Sequence, residues 1–146
     1  MTGLDIARRS GLAYFGGVTL ATLARIEPDP QSRRKLIDET EELLSTVAVS
    51  HNHWFGRREL IELGWELRDP DMIDVQASAL ESFCQREASP LTHAIVCRGR
   101  ALARALRGER SSNLAEEIAR LKSIAEKSGS ILLKIGLEEY ESMISR

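Results

Sequence analysis

The stretch NLAEEIARLKSIAEKSG, residues 113–129, decides the fold class. Leu114, Ile118, Leu121 and Ala125 recur at the three- and four-residue spacing of one helix face, with Ala115, Ala119 and Ile124 beside them. Glu116, Glu117, Arg120, Lys122 and Lys127 fill the opposite side, the pattern of an amphipathic helix. Asn113 with Glu116 three residues on reads as a capping box, and Gly129 suits the left-handed residue that stops a helix. Beyond it, Leu133, Leu137, Tyr140 and Ile144 predict one final helix. With Leu132, Ile135 and Met143 added, that helix is apolar over more than one stripe, which suits a place between neighbours or a dimer contact.

Working back towards the N-terminus, Asp29-Pro30, Asp69-Pro70 and Ser89-Pro90 each set a capping side chain before a proline at the first helical position. Apolar runs of helical period follow each one: Leu36 to Val47, Ile73 to Cys84, and Leu91 to Leu106 before Gly108. Two further helices are predicted, over Leu4 to Ile26 with a break near Gly11, Gly16 and Gly17, and over about Asn52 to Leu67. Asp29-Pro30 and Asp69-Pro70 lie about 40 residues apart and each opens the second helix of a pair, and the turn from Gly108 to Asn113 opens a third at about the same interval. Ile26, Leu67 and Leu106 close the first helices, and Gly64, Ala77, Gly99, Ala103 and Ala119 permit close helix approach. The expectation is a single all-α domain over residues 1–146, about seven helices in stacked helical hairpins forming a tetratricopeptide-like right-handed solenoid, with a closed bundle as the rival.

Composition narrows the function. The chain has 146 residues, one domain's worth, with 42% hydrophobic and 29% charged residues. Twenty Lys and Arg against 22 Asp and Glu leave a formal charge of −2, which argues against a nucleic-acid or anionic-membrane binder. No apolar run reaches the roughly 18 residues of a membrane span, and Met1 to Arg9 lacks a secretory pattern. Two cysteines are too few for a disulfide scaffold and point to a reducing compartment, so a cytoplasmic location is expected.

Each candidate for chemistry has a plain structural rival. His51 and His53, with His93, Cys84 or Cys97, offer metal donors, but the spacing matches no established zinc pattern, and helix capping and packing explain them better. Cys84 and Cys97 are expected in the core. The pairs Glu41-Glu42, Glu116-Glu117 and Glu138-Glu139 diverge by about 100° around a helix and so share no substrate atom. No metal, cofactor or catalytic residue is expected. Basic residues gather at Arg33-Arg34-Lys35, at Arg57-Arg58, and at Arg98, Arg100, Arg104 and Arg107. Arg100, Arg104 and Arg107 share one helix face, which either grips an acidic peptide or phosphate or pairs with carboxylates of a neighbouring helix. Trp54, Phe55 and Trp65 are expected to lock helix packing, with Trp54 a docking anchor if it is exposed. The candidate partner-binding set is therefore Arg100, Arg104, Arg107, Arg57 and Trp54.

The element Ser50-His51-Asn52-His53-Trp54-Phe55, together with Cys97 to Arg104 and the turn at Gly108, resembles the tetratricopeptide-like C-terminal region of large bacterial signalling ATPases that carry an adenylate/guanylate cyclase or LuxR-type module. The resemblance runs from about Gly11 to Tyr140. It implies a helical-repeat scaffold without chemistry of its own. No glycine-rich phosphate loop is present, so nucleotide hydrolysis does not carry over. The function expected is a protein-interaction or regulatory scaffold of a bacterial signalling system, with a protein or peptide partner of acidic character and a homodimer through the terminal helix as a further option. The alternative is a small-molecule sensor with its pocket near His51, His53 and Trp54.

Overall fold

The computed structural model describes residues 15–46, 50–86 and 89–144. Among these every regular element is helical: α1 (Gly16–Ile26), α2 (Pro30–Thr46), α3 (Ser50–Glu66), α4 (Pro70–Phe83), a 3-10 turn (Cys84–Arg86), α5 (Pro90–Leu106), α6 (Ser112–Ser128), α7 (Ile131–Lys134) and α8 (Leu137–Ile144). The all-α class predicted from periodicity is what forms. The expected start of the first helix at Leu4, and its glycine break at Gly11, lie outside the described residues. The chain divides into two compact units, Met1–Leu63 and Gly64–Arg146, with the division falling inside α3.

In the first unit α1 packs on α2, burying Leu20, Ala21 and Ala24 against Leu44 and Thr40. The polar Thr40 is accommodated because its hydroxyl donates to the Leu36 carbonyl at 2.7 Å. Asp29 caps α2 by accepting from the Ser32 backbone N–H at 2.7 Å, with Pro30 as the first helical residue. Gly17 and Gly56 let α1 and α3 meet backbone to backbone. A Cβ on Gly56 would stand 3.3 Å from the Gly17 carbonyl, and one on Gly17 would stand 2.9 Å from Leu44. Sequence reading had assigned the close approaches to other residues and missed this pair.

The second unit begins where α3 stops. Arg68 adopts a left-handed φ of 58°, and the Asp69 N–H reaches back to the Gly64 carbonyl at 2.8 Å, closing the helix end. Asp69 then caps α4, accepting from the N–H groups of Asp71 and Met72. Ser89 caps α5 through the Thr92 N–H, so all three cap–proline starts form as expected. Ile73, Ala77 and Leu80 of α4, Ile95 and Leu102 of α5, and Leu114, Leu121 and Ala125 of α6 are sealed from solvent. Burying one large aliphatic side chain contributes roughly 1.5–3 kcal/mol, against about 0–1 for an exposed ion pair, so these stripes rather than the surface charges hold the unit together.

Three local expectations are corrected. Asn113 does not cap α6. The helix starts at Ser112, and Ser111 caps it through the Leu114 N–H at 3.2 Å, because the Asn113 side chain is turned back to accept from Arg104. The final helix is two short ones, since Gly136 at φ 76° breaks it between α7 and α8. Neither cysteine is in the core. The α-helical course of α4 ends at Phe83, which carries Cys84 into the 3-10 turn and leaves it half-buried, and Cys97 is half-buried on a flank of α5.

Candidate functional site

Among the predicted partner-binding residues, the α5 arginines are all engaged by carboxylates of the same chain. Arg100 holds both oxygens of Glu81 on α4, at 3.1 and 2.7 Å. Arg104 holds Glu109 at 2.6 and 2.8 Å, Glu117 on α6 at 2.7 Å and Asn113 at 3.2 Å. Arg107 bridges Asp71 and Asp74 on α4, each at 2.6 Å. The hydrogen bonds from Arg104 and Ser111 push the Glu109 carboxyl down to about 2, and the Arg100 contact lowers Glu81 in the same sense. The arginine stripe is thus a set of ties from α5 to α4 and α6. An acidic partner would have to compete with carboxylates already in place.

Arg57 of α3 is buried and turns its guanidinium to both oxygens of Glu41 on α2, each at 2.6 Å. Beside it, Glu59 is buried between Arg25 and Arg58. Trp54 is half-buried and meets the exposed Phe55 edge-on, 4.8 Å between ring centres, so Phe55 is not the core residue expected. His51 lies 5.4 Å from the Phe15 ring, and His53 titrates below the usual histidine range because burial and Arg57 disfavour its cation. On α5 the Cys97 sulfur lies 3.5 Å from His93 Nε2, and desolvation pushes the thiol up, away from the reactive thiolate. Among the described residues no three of His, Cys, Asp and Glu gather as a metal set.

Sequence reading missed Arg98. Among the described residues it is the largest fully buried side chain, and its Nη1 donates to the Ile135 carbonyl at 2.7 Å, between α7 and α8. The signal was available: Arg98 stands three residues after Ile95 and four before Leu102, on the apolar face of α5. Gly136 follows at once and rests against Leu102 and Trp65, where an added Cβ would come within 2.8 and 3.0 Å. Arg68 stacks over the Trp65 ring at 4.5 Å and pairs with Glu139 of α8.

This docking of α7 and α8 leaves an open groove along α6. One hollow of about 320 Å³ is lined by Lys122, Ala125, Glu126, Lys134, Leu137 and Glu138. A second of about 380 Å³, lined among others by Ala115, Ile118, Ala119 and Tyr140, shares Lys122 and Glu126 with the first. Its position was not legible in sequence because it depends on the break at Gly136. A smaller hollow of about 210 Å³ lies between the end of α4 and the start of α5, beside Cys84 and His93. Among the described residues no helix is long and apolar enough to cross a membrane. Comparison with protein-family models, curated proteins and solved structures finds no match for this chain.

Proposed function

We propose that this chain is a non-enzymatic protein-interaction or regulatory scaffold of a bacterial signalling system, and that it docks a partner segment in the groove along α6. The observation that carries the reading is the groove itself: the small exposed side chains of Ala115 and Ala119, backed by buried Ile118, Leu137 and Tyr140, lie between charged rims on a packed helical support. Grooves of this kind take the apolar face of a helix, with the rim setting register. The right-handed stacking of hairpins belongs to this proposal, supported by the 40-residue interval between Asp29-Pro30 and Asp69-Pro70.

The test is site-specific photocrosslinking in a native-host lysate. A benzophenone side chain at exposed Ala119 is expected to give discrete protein adducts, and one at exposed Val75 of α4 is not. No adducts from Ala119, or the same adducts from both, overturns the reading. The aromatic rings at the start of α3 (His51 on Phe15, Trp54 on Phe55) favour one other reading, a small-molecule sensor. That reading requires a thermal shift of several degrees with some metabolite or nucleotide, which a scaffold does not show.

A further inference from the structure

We propose that the groove along α6, taken above as the docking surface, is filled by the same groove of a second copy of this chain. The charges on its rim are the reason. Lys122 and Glu126 stand four residues apart on one strip of α6, and Lys134 and Glu138 stand four apart across the α7–α8 break. The rim therefore carries two positive and two negative groups with no net sign. An acidic segment laid here meets Glu126 and Glu138 as well as the lysines, and a basic segment meets the reverse. Attraction and repulsion cancel for either one.

A surface with the same alternating charges does better. Related by a two-fold axis, two copies set Lys122 of each against Glu126 of the other, and a self-complementary patch of this kind closes on itself as a dimer. The floor suits such a contact. Ala115 and Ala119 are exposed and project only a methyl group, so a second helix can come close to the α6 backbone, while the buried Ile118, Leu137 and Tyr140 beneath hold that floor in place. Ile124 and Ile131, 36% and 75% exposed, add apolar surface on the same two elements, α6 and α7.

The experiment is a charge exchange between two variants, K122E and E126K, read by sedimentation equilibrium, with circular dichroism confirming that both fold. The parent chain is expected to be dimeric. Each variant alone puts like charges across the axis and raises the dimer dissociation constant about tenfold to a hundredfold. Mixed one to one, the variants again face opposite charges and form a heterodimer with an affinity near that of the parent. A monomeric parent overturns the proposal, as do variants that dimerise as the parent does, or a mixture that stays monomeric. A monomeric parent whose Ala119 position still crosslinks to another protein overturns self-pairing alone and leaves the scaffold reading standing. A monomer without adducts overturns both.

Discussion

Arg98 carries a charge that cannot be shed, in a position closed to solvent, and it spends one donor on the main-chain carbonyl of Ile135. Arg98→Ala opens a cavity and leaves that carbonyl short of a donor, and is expected to lower stability by about 3–5 kcal/mol in urea titration. Arg98→Met refills most of the volume and removes the buried charge, so its cost is smaller. An equal loss in both variants rules out this account. The position was legible in sequence, because periodicity put it on the apolar face of α5. Residue type pulled the other way, since Arg100 and Arg104 on the same helix, and Arg107 just past its end, lie towards solvent. Asn113 illustrates the opposite limit. Its spacing to Glu116 is that of a capping box, but the cap falls to Ser111, and the three-dimensional reach of Arg104 to Asn113 is what takes that side chain away. Ser111→Ala is accordingly expected to cost about 1 kcal/mol by losing the cap.

At the scale of the elements, the break between α7 and α8 places the groove. Gly136 and Gly108 both adopt positive φ, 76° and 88°, yet their surroundings differ. Nothing lies within 4 Å of a Cβ built on Gly108, whereas one on Gly136 meets Leu102 and Trp65. Gly108→Ala should therefore cost only the backbone conformation, roughly 1–2 kcal/mol, and Gly136→Ala clearly more, through the added clash. Thermal melts of the two variants side by side check the order. Helix starts were well signposted in sequence, since a capping residue before proline acts within one turn. The end of the chain was not, because Leu133, Leu137 and Tyr140 keep helical spacing straight across the break, and all three are indeed buried. Glycine at position 136 was the available cue, and its meaning comes from the Trp65 ring it faces.

Across the whole molecule, carboxylates held by hydrogen bonds, Asp29 by Ser32 and Glu81 and Glu109 by arginine, make stability depend on acid. Asp29, Glu81 and Glu109 all titrate below their usual range, and Glu109 is at about 2. A depressed carboxyl contributes stability that is present above its unfolded value, near 4.3 for Glu, and is lost as pH falls through the folded value. The helical signal of the parent should therefore weaken between about pH 4.5 and 2. Glu109→Gln should flatten part of that limb and leave the behaviour near pH 7 to 9 unchanged in slope. An unaltered acid limb in this variant shows that the Arg104 tie contributes nothing to the folded state. Composition and period were enough for the class of fold, because helix-forming residues and amphipathic spacing are local properties. The pairing of the α5 arginines with Glu81, Asp71, Asp74 and Glu117 was one of two readings the sequence left open, because it turns on which helix lies beside which.

The contact between Arg98 and Ile135 also imposes an order in time. The two residues are 37 positions apart, and a ribosome makes Arg98 well before it makes its acceptor. While Ile135 is still inside the exit tunnel, α5 already presents a guanidinium on the side that must be sealed. Closure of that side waits for the stretch around Ile135, so α5 is sealed only after that stretch has emerged. A translation product halted before Ile135 lacks that carbonyl, keeps its apolar face open, and is thereby marked for the chaperones and proteases that remove unfinished chains.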